Sequence, residues 1–400
     1  MPKTAFRRLS ILVVLAATAS ASLGAEPVAV TPQQRKEMTA LARQALAADA
    51  VASDKAVDAL KALGEPAKPR LVSALKELLV RGRTAVGVAK RRVSDPEKAR
   101  QLEAEITEVR AAALANIAKL EKGEPVRLAH EYYEKLGPML DLLNKVQEVR
   151  HAVYTSMKRR ARLVALWQEV GGEDRRISAE GEATLKTDAE AVLGMSPEAV
   201  AAIPEFGQGD APSDPAAWQL WFYDACRRIE AYNASLAGQM SAAEAENVRL
   251  LNTYREMLGT LPLEVDARLL QSARRHSKEM VEKGYFAHES PTPSEKSHAQ
   301  RMANAGYSSG YSENIAAGNR GGRGVFWMWF DSPGHHKNMV NAGSKAMGVG
   351  AWGSTWTQNF GTGQRLMLLD TDERKKVVVK GDILPPRGSG VALLGRKQPV

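Results

Sequence analysis

Apolar residues recur at three- and four-residue spacing through most of the first half of the chain. Thr31 precedes Pro32 and a run rich in Ala, Leu, Lys, Arg and Glu, residues that lose little side-chain entropy in a helix. Leu102, Ile106, Val109 and Ala113 mark one apolar face, which Ile117 and Leu120 extend. Leu140, Leu143, Val146, Val149 and Val153 repeat the pattern. Residues 31–200 therefore read as helix nearly throughout. Breaks are predicted at Gly64-Glu65-Pro66, Ser94-Asp95-Pro96, Gly123-Glu124-Pro125, Gly137-Pro138 and Gly171-Gly172. Asp95-Pro96 fits an N-cap followed by Pro at the first helical position. Unequal segment lengths and the lack of an internal repeat argue for an antiparallel bundle and against a solenoid. His130 and His151 each stand alone there and read as packing or surface residues.

The pattern changes after residue 200. Residues 202–215 carry Pro, Gly and Asp at linker density. Asp214 caps a helix whose apolar face is Trp218, Trp221, Phe222 and Ala225, continued by Leu236 and Met240. Ser241 to Glu244 forms a capping box, and Gly259 ends that helix. Asp266 caps the next, with Leu269, Ala273, His276 and Met280 on one face, and Gly284 stops it. His276 thus reads as a core histidine. Ser294 is expected to cap a short helix ending at Gly306. Gly321 to Gly324 lead into a helix holding Val325, Trp327 and Trp329, and a further short helix opens at His335. Met347–Trp352 and Thr355–Phe360 read as strands joined at Gly353-Ser354. Arg365–Leu369 and Lys375–Lys380 are expected to add a hairpin, and the tail beyond Pro385 reads as loose.

Four hundred residues suit two domains or slightly more, and 44% apolar with 25% charged residues is ordinary for a soluble protein. Lys3, Arg7 and Arg8 precede a short apolar run, Leu9 to Ala17, and then small residues. This is the layout of an export signal cleaved after Ala21, Gly24 or Ala25, and the run is too short to span a bilayer. No transmembrane span is expected in the mature chain. Cys226 is the single cysteine, so no intramolecular disulfide framework can form, and its apolar helix face points to packing. The net charge is +9, with basic runs at Lys90–Arg92 and Lys158–Arg162. Without aromatic interleaving or a nucleic-acid motif, these read as solvated helix faces, with anionic envelope polymers as the alternative partner and nucleic acid excluded.

Candidate chemistry is concentrated between His276 and Gly361, which hold five of the seven histidines. His288, Glu313 and His335 lie about two dozen residues apart, on a helix exit, a turn-rich stretch and a helix start. They are placed to converge on one cleft. Three such side chains could hold a divalent metal such as zinc, with Asp331 or His336 as a fourth or supporting group. Without metal, Glu313 could orient His288 as a general base. No Ser or Cys nucleophile motif accompanies them.

Six ordered motifs carry a family resemblance. They are Leu251–Arg255, Ala273–Ser277 with Met280, Gly284–His288, Ser312–Ala316, Ser332–His335 with Asn338, and Trp356–Gly361. From about Asn247 to Gly361 the chain resembles the CAP superfamily of cysteine-rich secretory, antigen 5 and pathogenesis-related proteins, and its bacterial branch most closely. The resemblance implies an α-β-α sandwich with an open cavity, lined in many members by two His and two Glu that can bind a divalent metal. His288 and Glu313 match the first His and Glu. The second His position is Thr355 here, and the second Glu has no counterpart beyond nearby Asp331. Ser312 and His336 also depart from the bacterial pattern.

The expected fold is therefore α+β, an N-terminal all-helical bundle followed by a CAP-like α-β-α sandwich. The expected boundaries are a signal at 1–25, helices at 26–201, linker and docking helix at 202–240, the CAP-like domain at 241–369 and a hairpin and tail at 370–400. Catalytic or metal duty falls on His288, Glu313 and His335. Asp331, His336, Asn338, Trp356 and Gln358 are expected to line the cavity, with Trp327, Trp329 and Trp356 walling a groove. The family's link to sterol and lipid binding favours a binding module for an apolar or glycan ligand at or outside the cell surface. A metal-dependent hydrolase of peptide or cell-wall material is the alternative, and a scaffold working through the helical region is a third.

Overall fold

A computed structural model describes residues 30–90, 96–122, 124, 129–171, 193–319 and 321–386. The expected export signal lies outside them. Contacts divide the chain into two compact units, residues 1–80 with 165–173, and residues 81–164 with 174–400.

In the first unit, α1 (Pro32–Ala45) opens with a complete capping box between Thr31 and Gln34. Asp49 caps α2 (Ala50–Ala62) by accepting from the Ala52 amide. The start of α3 (Lys68–Lys90) completes the described apolar face with Leu71, Leu75 and Leu79.

The second unit carries the site. Helices α4 (Pro96–Leu120) and α5 (Ala129–Glu169, whose end returns to the first unit) precede it in sequence. The predicted break at Gly137-Pro138 does not occur, and α5 runs through Pro138. Proline removes one helical hydrogen bond, but Leu136, Leu140 and Leu143 are buried with Ile106 and Met257, and that packing holds the helix together. After α6 (Pro197–Ala202), Ile203 and Phe206 are buried, while residues 207–211 of the expected linker are exposed. Asp214 caps α7 (Pro215–Ser235).

Helix α8 (Ala242–Met257) starts at the Ser241–Glu244 capping box. Strand β1 (Glu264–Val265) leads to α9 (Ala267–Lys283), which ends at Gly284 in the left-handed conformation. Then come α10 (His298–Asn304), β2 (Gly310–Ala317), α11 (Gly322–Phe330), α12 (Pro333–Val340), β3 (Ala346–Trp352), β4 (Thr355–Gly361) and α13 (Thr371–Lys376).

The four strands order as β1-β3-β4-β2, with β1 parallel to β3 and the other pairs antiparallel. One face of the sheet carries α9. Gly348 and Gly350 are the reason it can lie so close. A Cβ on Gly348 would stand 2.1 Å from the Leu269 carbonyl carbon, and one on Gly350 would stand 2.3 Å from the Arg274 nitrogen. The intervening Met347, Val349 and Ala351 point to the other face and enter the main core with Leu251, Tyr254, Phe326, Trp329 and Phe360. Helices thus cover both faces, and the domain is α+β.

Side chains also engage the two outer strands. Asn338 Nδ2 donates to the Glu313 carbonyl at 3.4 Å and Trp329 Nε1 to the Ile315 carbonyl at 3.1 Å. At the other end, Asn252 exchanges two hydrogen bonds with Leu263, and Asn233 accepts from the Val265 amide at 2.8 Å.

Three sequence expectations are corrected. The Glu313 segment is a strand rather than a turn-rich stretch. The short helix after His288 is capped by Ser297, not Ser294, which lies in a single 3₁₀ turn. No hairpin forms over 365–380. Buried Glu264 accepts from the Leu366 and Met367 amides, which holds a 3₁₀ turn there, and Asp370 with Glu373 caps α13.

Candidate functional site

The alternation of β2 decides which residues meet. Glu313 pairs with Asn359 and Ile315 with Thr357, so Glu313 faces α9. Asn314 pairs with Gln358 and faces the opposite side. From α9, His276 reaches under the strand, with Nε2 3.8 Å from Glu313 Oε1 and 3.1 Å from the Ala287 carbonyl. Gly284 reverses the chain after α9, and this brings His288 back over Glu313.

Glu313 is the hub. Its side chain is 1% exposed, and Arg301 Nη2 from α10 donates to Oε1 at 2.9 Å and to Oε2 at 2.8 Å. His288 Nδ1 lies 3.0 Å from Oε1. Asn359, with its amide turned toward the carboxylate, donates to Oε2 at 3.1 Å while its oxygen accepts from Ser272 and Ala273. Burial alone would raise the carboxyl pKa, but the His288 hydrogen bond and the Arg301 charge outweigh it and hold the group below its ordinary range. The ionised carboxylate only accepts, so the proton sits on His288 Nδ1. In the neutral ring Nε2 is then an acceptor, on a side chain that is 51% exposed.

The same guanidinium organises the loop. Arg301 Nη2 donates to the His288 carbonyl at 2.9 Å, and Nη1 to the carbonyls of Glu295 and Lys296. Behind it, Glu279 accepts from Tyr285 at 2.7 Å, Ser290 at 2.9 Å, Thr292 at 2.5 Å and Lys283 at 2.8 Å. Burial opposes ionisation of Glu279, but these four donors pull its pKa down to about 2. Burial pushes His276 down to about 4, so the ring is neutral at pH 7.

His335 stands near His288. Burial, and then the neighbouring His288, keep it below the ordinary imidazole range. Its Nδ1 is buried and makes no hydrogen bond, as is true of the Ser312 hydroxyl. His288, Glu313 and His335 thus come to one end of the sheet.

Of the remaining predicted cavity residues, Asn338 bonds the Glu313 carbonyl, while His336, Trp356 and Gln358 are buried elsewhere. His336 is buried on the opposite face, with Nδ1 2.7 Å from the Phe330 carbonyl and Nε2 2.9 Å from the Tyr254 hydroxyl. Trp356 and Trp329 are 0% exposed in the core, and Trp327 packs edge-on against Tyr133 at 5.2 Å. The expected aromatic groove is therefore interior packing. Gln358 is buried between Asn314 and Asn247, and Asn338 bonds Asn314 at 2.8 Å. Asp331 is the C-cap of α11 on the His336 side.

The donor set does not fit a divalent cation. Both carboxylate oxygens of Glu313 already carry a guanidinium, which repels a second cation. Among the described residues, no three His, Cys, Asp or Glu side chains are grouped to hold a metal ion. What the arrangement offers is an oriented imidazole backed by a locked carboxylate. Sequence reasoning missed Arg301, Asn359 and Glu279. Only the spacing of Asn359 on a strand opposite Glu313 could have signalled one of them.

Residues 248–360 match the family model of CAP, the cysteine-rich secretory protein family. The match to that family is confined to the C-terminal third of the chain. The chain is similar to the uncharacterized protein YkwD of Bacillus subtilis, 38% identical over 128 residues, which is 32% of this chain and 49% of that protein. It is also similar to the uncharacterized membrane protein YlbC of Bacillus subtilis, 29% identical over 120 residues, 30% of this chain and 34% of that protein. The chain thus spans half or less of the length of these relatives. Among solved structures, an extracellular protein containing an SCP domain from Bacillus anthracis matches at 26% identity, over 38% of this chain and 45% of that one, with a TM-score of 0.27. An outer surface protein from Borrelia burgdorferi matches at 19% identity, over 29% of this chain and 90% of that one, also with a TM-score of 0.27.

Proposed function

We propose that this chain is an exported binding protein whose CAP domain holds a polar ligand, a glycan or other cell-envelope polymer, at the imidazole of His288. The observation that carries the reading is the pinned ring. Nδ1 is fixed on Glu313 at 3.0 Å, and the side chain is half exposed. A hydrogen-bonding group whose orientation is set beforehand loses little entropy on binding. A polar ligand is favoured over an apolar one because Trp329 and Trp356 are spent in the core. Export rests on the N-terminal basic and apolar segments, and no described helix is long and apolar enough to cross a membrane.

A catalytic reading shares the same pair. An imidazole whose Nδ1 is held by a carboxylate is the arrangement of a general base. The test is NMR of the His288 ring in the chain from residue 26 onward, during addition of solubilised cell-wall glycan. Binding should shift the ring signals, and His288→Ala should weaken binding by about tenfold or more, the worth of a hydrogen bond with its orientation. Equal binding by His288→Ala would sink the proposal. Glycan cleavage lost in His288→Ala would favour the general-base reading.

A further inference from the structure

The far side of α9 grips another segment of the chain in an unusual way. Gln271, Arg274 and Arg275, within about one turn of α9, all hold main-chain atoms of residues 380–384. Gln271 Nε2 donates to the Leu384 carbonyl at 3.0 Å, and Gln271 Oε1 accepts from the Leu384 amide at 2.7 Å. Arg274 Nη1 adds a bond to the same carbonyl at 3.2 Å. Arg275 donates from Nε to the Asp382 carbonyl at 2.9 Å, and from Nη2 to the Asp382 and Lys380 carbonyls at 2.6 and 2.5 Å. Ile383 meanwhile is 71% exposed. The hydrogen bonds of the grip all go to the main chain, and among the side chains of the strap the charge of Asp382 also acts on Arg275. Gly381 has φ +75, and a Cβ there would stand 3.0 Å from the Arg275 guanidinium.

The groove continues past this strap. Asp382 and Leu384 form one wall of a cleft of about 310 Å³, whose other walls include His276, Glu279, Thr292 and Arg301. Arg301 is only 3% exposed, and its Nε has no hydrogen-bond partner. That N–H needs an acceptor oxygen of the kind a peptide carbonyl supplies.

We infer that this face of α9 is a groove for an extended polypeptide, recognised through its main chain, and that the chain's own residues 378–386 occupy it in cis. An incoming extended segment competes with the strap and continues along the cleft. This is the logic by which main-chain hydrogen bonds supply affinity in peptide recognition. It does not use the imidazole of His288, although the cleft shares His276 and Arg301 with the Glu313 site.

The test uses the full chain. Gly381→Val places a β-branched residue at positive φ and against Arg275, so the strap is released while Gln271, Arg274 and Arg275 stay intact. Hydrogen exchange should show the Leu384 amide losing its protection. A fluorescent peptide of residues 378–386 should then bind the Gly381→Val chain in trans, measured by anisotropy. Binding should fall about tenfold or more when Gln271→Ala is added, since two bonds are lost together. A peptide with every residue but Gly381 replaced by Ala should bind within about tenfold of the native one. Failure of the native peptide to bind the released chain would overturn the inference. So would retained protection of Leu384 in Gly381→Val, or a much weaker alanine peptide, since either would mean that side chains hold the strap.

Discussion

Arg301 Nη2 lies 2.9 and 2.8 Å from the two carboxylate oxygens of Glu313, and both side chains are almost fully buried. One guanidinium therefore keeps the central acid charged, fixes His288 through it, and bars a metal from it. The pair also carries a folding cost if broken. Arg301→Ala leaves a buried carboxylate without its cation, and should destabilise the chain by about 3–5 kcal/mol. Urea unfolding at pH 7 measures this. A loss under about 1 kcal/mol would show that water or His288 replaces the guanidinium.

Stability should fall on acidification before the carboxylates titrate. His276 has a folded pKa of about 4, below the ordinary 6.5. Between these values the unfolded chain binds the proton and the folded chain does not, so stability is lost as pH falls through this window. The loss is at most about 3 kcal/mol. Glu279, held at about 2, and Glu313, held below its usual range, add a second loss below about pH 4.5, as the unfolded carboxylates protonate first. Unfolding curves from pH 7 to 3 should show both stages. His276→Asn should shrink the first stage and leave the second, the remainder of the first coming from His335 and His336, which burial also holds below the ordinary imidazole range.

Zinc should not stabilise the protein. A ligand that binds only the folded state raises Tm by mass action, and the Glu313 site offers a guanidinium where a cation would sit. Scanning calorimetry with excess zinc, beside His288→Ala/His335→Ala, should give no wild-type increase that the double mutant lacks. A zinc-dependent rise lost in that mutant would restore a metal site there.

Filling the contact between α9 and β3 should be costly. A Cβ at Gly350 would meet Arg274 backbone at 2.3 Å, too close for any side-chain adjustment to relieve. Gly350→Ala should cost about 1–3 kcal/mol or more. By contrast Gly353→Ala meets no atom within 4 Å, although its φ of +64 carries its own strain. Comparing the two in urea separates the packing term from the backbone term.

The sequence made much of the scaffold legible where local chemistry decided it. Asp214, Ser241 and Asp266 cap the helices their positions announce, and Gly353 joins two strands read from alternation. The misses have nonlocal causes. Ser312-Glu313-Asn314 has little intrinsic strand preference, and it is a strand because β4 pairs with it. Arg301 sits in a short polar helix, and nothing within that helix reveals a carboxylate twelve residues on. His336 neighbours His335 in sequence, yet a helix points adjacent side chains about 100° apart, so one faces His288 while the other is buried against Tyr254. The capping box at Asp370 and Glu373 was readable from spacing and argued against the expected hairpin.

The side chains that bond the outer strands have a consequence for how the sheet meets other chains. An exposed strand offers unpaired carbonyls and amides on which another chain can build. Here the outward carbonyls of Glu313 and Ile315 are taken by Asn338 and Trp329, and the outward groups of Leu263 and Val265 by Asn252 and Asn233. Part of each rim of the sheet is thereby occupied. Those carbonyls and amides are not open to strand addition, which matters in a protein whose single cysteine cannot form an internal disulfide.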